Sequence, residues 1–225
     1  MDDYLSEKEQ WDRVKQLLRE NGLWIIAGVV VGVGLLGGYR WWQDHADQQA
    51  LNASAKYQQI LVALATDRSR AFGLLGEMER DYSSSPYLDQ AKLVIAKVYV
   101  ESGEMDKAAN ELQSVVQNSK DKDLALLARA RLARVQVSQK KFDDALATLN
   151  AGDAGAFATI FHEVRGDAYH AKGNDAAALT EYQAARGGAL TGATDSQMLD
   201  LKIADLPAQA SGSTSKPTQP PAAAK

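Results

Sequence analysis

An all-α protein is predicted: one apolar N-terminal helix suited to a bilayer, followed by a soluble stack of paired helices. Three observations carry this. Asn21 to Tyr39 contains no charged residue; alanine and leucine recur at three- and four-residue steps further on, without β-branched runs of period two; and one pattern of small and aromatic residues returns about every 34 residues.

The apolar run, NGLWIIAGVVVGVGLLGGY, has 19 positions. At ~1.5 Å per residue it makes a helix of roughly 28 Å, close to the ~30 Å of a bilayer's hydrocarbon. All four tryptophans lie at or before its far edge: Trp11, Trp24, Trp41 and Trp42, the last two beside Tyr39. Indoles favour the headgroup layer, where an apolar ring and a wet N–H are both satisfied. A cleaved signal peptide would open on a short basic region and end at small residues, whereas mixed-charge residues precede this run and Tyr39-Arg40-Trp41-Trp42 follow it. A soluble core helix would carry a polar face, and six glycines, Gly22, Gly28, Gly32, Gly34, Gly37 and Gly38, would make a poor helix in water. An uncleaved single-span anchor over residues 21–42 is expected. Lys8, Arg13, Lys15 and Arg19 before the span outnumber Arg40 and Lys56 after it, which places residues 1–20 in the cytoplasm and the remainder across the membrane.

The whole chain of 225 residues is 24% charged with a net charge of −4, so no basic excess points to nucleic acid. It has no cysteine, hence no disulfide framework and no lipidated cysteine. Residues 43–206 suffice for one helical-repeat domain. Its first stripe is Ala46, Ala50, Ala53, Tyr57, Ile60, Leu61 and Leu64, close enough to the span to continue its helix. A helix over Arg70 to Tyr82 follows, and Ser85-Pro86 opens the next.

Ala96-Lys97-Val98-Tyr99 with Gly103-Glu104-Met105-Asp106-Lys107-Ala108-Ala109 aligns with Gly166-Asp167-Ala168-Tyr169 and Gly173-Asn174-Asp175-Ala176-Ala177-Ala178-Leu179. A middle copy supplies Ala133 and Lys140-Lys141-Phe142-Asp143-Asp144-Ala145-Leu146. The recurring Ala108, Ala145 and Ala178 stand 37 and 33 residues apart, bracketing the ~34-residue tetratricopeptide period. In that motif two antiparallel helices cross closely, so small residues belong where backbones touch and a larger one fills the hole beside them. Gly166, Tyr169, Gly173, Ala178, Tyr182 and Ala185 take those places in the third copy. Ala96, Tyr99, Gly103, Ala108, Leu112 and Val115 take them in the first. The second departs, with Gln136 in place of tyrosine and Lys140 in place of the turn glycine. The fold class expected is thus an N-terminal transmembrane helix followed by a tetratricopeptide-repeat-like α-solenoid. Asp195-Ser196 can cap a last helix, Ser196 to Leu206, whose Met198, Leu199, Leu201 and Leu206 would close the open end. Residues 207–225 are too polar and proline-rich to bury anything and read as a disordered tail.

From about Tyr4 to Leu206 the layout resembles the YfgM-type ancillary subunits of the bacterial SecYEG translocon. The resemblance is carried most specifically by Val31-Gly32-Val33-Gly34 through Arg40-Trp41-Trp42, by Leu132-Ala133-Arg134-Val135-Gln136-Val137, and by Met198 to Leu206. It implies an inner-membrane protein with a periplasmic repeat domain. It also implies association with the Sec translocon and with a membrane-anchored periplasmic prolyl-isomerase-like chaperone, serving unfolded secretory proteins as they emerge. The tail looks like an addition to the family pattern. The other class that fits is a periplasmic scaffold or regulator of envelope assembly or stress signalling without stable translocon contact.

No enzyme, cofactor or metal site is expected. His162-Glu163 starts like a zinc-protease signature, but the second ligand would be Gly166. His162 and His170 read as helix-surface residues, and Arg165-Gly166-Asp167 lies inside a helix rather than on an adhesive loop. Gly28 with Gly32 and Gly34 with Gly38 form small-xxx-small pairs that admit another membrane helix or simply face lipid. Arg129, Arg131 and Arg134 are either a solvated helix face or part of a binding surface. Projected onto the inner helices of the repeats, the candidate partner groove is Gln90, Leu93, Lys97 and Val100, then Leu127, Ala130, Arg134 and Val137, then Ile160, Glu163, Asp167 and His170. Some of these positions face a guest and others a neighbouring helix. The groove lacks a Lys/Asn carboxylate clamp, which favours an apolar or extended segment as guest.

Overall fold

The computed structural model describes residues 7–188 and 196–206; the expected cap Asp195, the tail 207–225 and the start of the N-terminal segment lie outside the described residues. Every element among the described residues is helical: α1 (Glu7–Thr66), α2 (Arg68–Asp81), α3 (Pro86–Glu101), α4 (Met105–Asn118), α5 (Lys122–Ser138), α6 (Phe142–Asn150), α7 (Ala158–Ala171), α8 (Asp175–Gly188) and α9 (Ser196–Ala204), with a 3₁₀ turn at Gly155–Phe157. The apolar run and the stripe after it share the single helix α1. The chain forms two compact units, Met1–Ser54 and Ala55–Lys225. α1 runs without a break through residue 42.

In the second unit, Ile60 and Ala63 of α1 join Leu74, Leu75 and Met78 of α2 and Leu88, Ala91 and Ile95 of α3 in one buried cluster. The Asp67 carboxylate caps α2 by accepting from the Arg70 N–H at 3.1 Å. Ser85 caps α3 with Pro86 in its first turn, where a missing N–H loses no bond. From there each helix packs on the next, α3 on α4 through α8 on α9, while α3 also meets α5 and α5 meets α7. Contact between helices two apart in sequence makes α3, α5 and α7 one continuous inner layer.

Three chain reversals repeat one construction. Glu104, Lys141 and Asn174 each donate an N–H to the carbonyl five residues back, on Tyr99, Gln136 and Tyr169, at 2.8, 2.8 and 2.9 Å. The residue before each donor is left-handed, with φ of 76° at Gly103, 62° at Lys140 and 77° at Gly173. This is a Schellman closure, which wants glycine at the left-handed position. The second copy therefore has the same turn as the others despite its sequence. It also replaces the tyrosine by another contact: the Gln136 amide oxygen accepts from the Thr148 hydroxyl at 2.9 Å, tying α5 to α6.

One close crossing is in the third copy. A methyl group on Gly166 would fall 2.4 Å from the Tyr182 ring, and Tyr182, Ala178 and Ala185 are buried. At the end of the stack Leu199 and Leu206 are buried beside them. Met198 and Leu201, which the sequence placed in the same closing face, are instead 49% and 60% exposed. Leu206 lies just past the end of α9 and joins the same buried cluster as Leu199, while Met198 and Leu201, ~100° and ~200° around the helix from Leu199, project elsewhere.

Two outcomes follow. Gly166→Ala should cost about 1–3 kcal/mol by overpacking, and less in a Tyr182→Leu background, since the double-variant cycle removes the ring it strikes; equal costs in both backgrounds would break the assignment of this crossing. Lys140→Gly should raise the thermal midpoint, worth ~0.5–1 kcal/mol, because relief of a left-handed side chain outweighs the extra freedom of the unfolded chain.

Candidate interaction surfaces

Two surfaces emerge, one in each unit. In the first, α1 holds the one segment among the described residues that is long and apolar enough to cross a membrane, and its most apolar 18-residue stretch has no buried residue among those described. Trp24, Tyr39, Trp41 and Trp42 are exposed, between 61% and 78%. Methyl groups on Gly28, Gly32, Gly34 and Gly38 would meet nothing within 4 Å. The helix thus presents apolar side chains and bare backbone to whatever surrounds it, and in water such a patch would be unstable.

The second surface is the inner layer of α3, α5 and α7. Of its twelve projected positions, Leu93 and Ala130 are buried core. Leu127 packs half-buried against the α3–α5 cluster, and Val137 and Ile160 against the α5–α7 cluster. Gln90 is half-buried, and Lys97, Val100, Arg134 and His170 are exposed. The His170 Nδ1 lies 2.8 Å from Asp175 at the start of α8. His162 is not a bare surface residue either: its Nδ1 is 2.7 Å from Glu181, to which the Arg165 Nε donates at 3.1 Å.

Along this layer the environment changes character. At α7, Glu163 and Asp167 are occupied from within the chain: the Lys202 ammonium of α9 donates to Glu163 at 2.8 Å and to both Asp167 oxygens at 2.7 and 2.9 Å. The Tyr182 hydroxyl donates to the same Asp167 at 2.8 Å. Burial first, and then the Asp167 charge, push the Tyr182 phenol well above its ordinary range, so it stays a donor. Between α3 and α5, by contrast, a cavity of about 400 Å³ is open, floored by Leu93, Ala96, Val100, Leu112 and Val135 and edged by Lys97, Arg131 and Arg134.

A family model described as a tetratricopeptide repeat-like domain matches residues 15–208. The chain is 32% identical over 206 residues to the ancillary SecYEG translocon subunit of Escherichia coli K12, covering 92% of this chain and 99% of that one. It is 29% identical to the protein of the same name in Haemophilus influenzae and 28% identical to that in Neisseria gonorrhoeae, over 90% of this chain and 98% of each. The chain belongs to this family. No solved structure matches it.

The family match stops at 208, so the rest of the tail lies beyond it. Within the repeats, the residue that sequence reasoning passed over is Lys202. A lysine on a short terminal helix looks like a solvated charge; only its arrival between two half-buried carboxylates of α7 shows otherwise. The available signal was the isolated Glu163 and Asp167, four residues apart on one helix face with no cation on that face. Lys202→Met should therefore leave both carboxylates short of a donor, lowering stability by about 1–3 kcal/mol. It should also speed amide exchange in α9 while leaving α3 to α5 unchanged. Exchange in α9 as slow as in the parent would show that the apolar contacts alone hold it.

Proposed function

We propose that this chain is a single-pass inner-membrane scaffold at the Sec translocon, with residues 1–20 in the cytoplasm, residues 21–42 as anchor and the repeat domain of residues 43–206 in the periplasm. Similarity over 98–99% of the length of proteins named as ancillary SecYEG translocon subunits carries the reading. The exposed apolar span of α1 and the excess of basic residues before it support the anchor and its orientation. The repeat domain supports a binding role rather than catalysis, since stacked helix pairs offer an extended face and few convergent reactive groups. In this reading the domain links the translocon to a membrane-anchored prolyl-isomerase-like chaperone and to emerging secretory chains.

Anchoring also bears on affinity. A span that confines the domain to the membrane raises its effective concentration at a membrane partner without any new contact, so each contact can be weak. The Gly28/Gly32 and Gly34/Gly38 pairs add a second source of binding if a translocon helix packs against one of them. The full chain purified in mild detergent should bring the translocon with it. Replacing residues 21–39 by an unrelated apolar span should reduce that recovery without abolishing it. A reporter fused after Leu206 should be active only on the periplasmic side. Absence of the translocon from the purified chain would overturn the assignment, and a reporter active in the cytoplasm would overturn the orientation.

A further inference from the structure

We propose that the open cavity between α3 and α5 is a recognition site for an extended acidic segment of a partner chain, seating an apolar side chain on its floor and an aspartate or glutamate on its rim. The floor is supplied by Leu93, Val100 and Val135 and the rim by Lys97, Arg131 and Arg134. No acidic residue lines the cavity, although the chain as a whole carries a net charge of −4. Three cations around one apolar depression are therefore a local reversal of the protein's charge.

The rim cations are weakly engaged. Lys97 stands 3.7 Å from Glu101 one helical turn on, both well exposed, a pair of the kind that contributes little. Arg134 reaches Glu163 Oε2 at a long 3.4 Å, while Lys202 holds the other oxygen at 2.8 Å. Arg131 has no carboxylate partner among the described residues. Desolvation, and then the Arg134 charge, hold its guanidinium below the usual arginine range. An incoming carboxylate would relieve that repulsion and present two oxygens to the planar fork of a guanidinium. The neighbouring half of the layer shows the complementary case, since Glu163 and Asp167 already have a cation from α9. The unsatisfied half is the cationic one, and the occupant it calls for is an anion. A depression about 400 Å³ in volume between helices fits protruding side chains better than the plane of a lipid surface.

The inference rests on the scaffold reading in taking the inner helices as the recognition face, and its test contains no translocon. The full chain in discs of phosphatidylcholine is titrated with a short peptide of alternating leucine and aspartate carrying a neutral fluorophore, and with the same peptide in which lysine replaces aspartate. The aspartate peptide should bind at least about tenfold more tightly, a difference of ~1.4 kcal/mol. Arg131→Glu should narrow or invert that preference. Arg131→Ala, at an exposed and unpaired position, should weaken the aspartate peptide severalfold with the thermal midpoint unchanged, which separates binding from folding. Equal binding of the two peptides, or an unchanged ratio in both variants, overturns the proposal. So does a result in which the variants lose only their adhesion to vesicles containing phosphatidylglycerol, since the cations would then serve a lipid surface. Peptide preference without co-purified translocon would remove the translocon assignment alone; co-purified translocon without peptide preference would remove this site alone.

Discussion

In three helix pairs, α3–α4, α5–α6 and α7–α8, the second helix has to return antiparallel along the first after a three-residue turn, and this reversal is the constraint on which the rest of the structure depends. The Schellman closures at Gly103, Lys140 and Gly173 accomplish it by placing one residue in the left-handed region and satisfying a helix-end carbonyl with the N–H that follows. Once the direction is set, the second helix lies against the first. The contact must then be close, which is why Ala108, Ala145 and Ala178 are buried where a larger side chain would hold the backbones apart. Gly166 follows the same logic, since the Tyr182 ring occupies the space a Cβ would need. Stacking of α3, α5 and α7 into one inner layer follows from repeating this unit.

The periodicity made most of this architecture legible in the sequence. Apolar residues at three- and four-residue steps announce helices, and the small residues at Ala108, Ala145 and Ala178 announce where they cross. Lys140 is the instructive departure. A lysine at a left-handed position contradicts the local preference, but flanking helices with the right apolar faces over-determine the turn and force it. The final helix taught the opposite lesson: four apolar residues suggested four buried ones, yet only Leu199, and Leu206 just beyond the helix end, join the buried cluster against α8. Composition reports how much apolar surface a short helix has, whereas the docking angle decides which of it is covered.

The candidate groove was legible as positions and illegible as chemistry. Projection of the repeat register located α3, α5 and α7 as the inner layer, but it could not tell Leu93 and Ala130, which are core, from Val100 and Arg134, which are exposed. Nor could it foresee that Lys202, 39 residues from Glu163 and 35 from Asp167 along the chain, would satisfy both. Contacts at that separation depend on the docking of α9, a tertiary event with no periodic signature. Arg131 escaped the projected groove for a related reason: it sits one helical turn before Arg134 on α5, and only the cavity between α3 and α5 brings both to a common rim.

The two halves of the inner layer illustrate how one scaffold sets different fates for similar charges. Glu163 and Asp167 are partly withdrawn from water, so leaving them without a donor would cost more than an exposed carboxylate would, and a lysine from α9 stabilises them. Lys97 and Arg134 keep much of their hydration, and Arg131 is exposed and has no carboxylate partner among the described residues. A site that is internally satisfied contributes to stability and resists exchange of its ligand; one that is electrostatically open contributes little to folding and is free to bind from outside. In the proposed membrane-anchored arrangement, weak and reversible binding at the open half suffices, because the tether supplies proximity. The sign and satisfaction of charge along α3, α5 and α7, rather than the repeat itself, therefore decide where this scaffold holds itself together and where it is available to a partner.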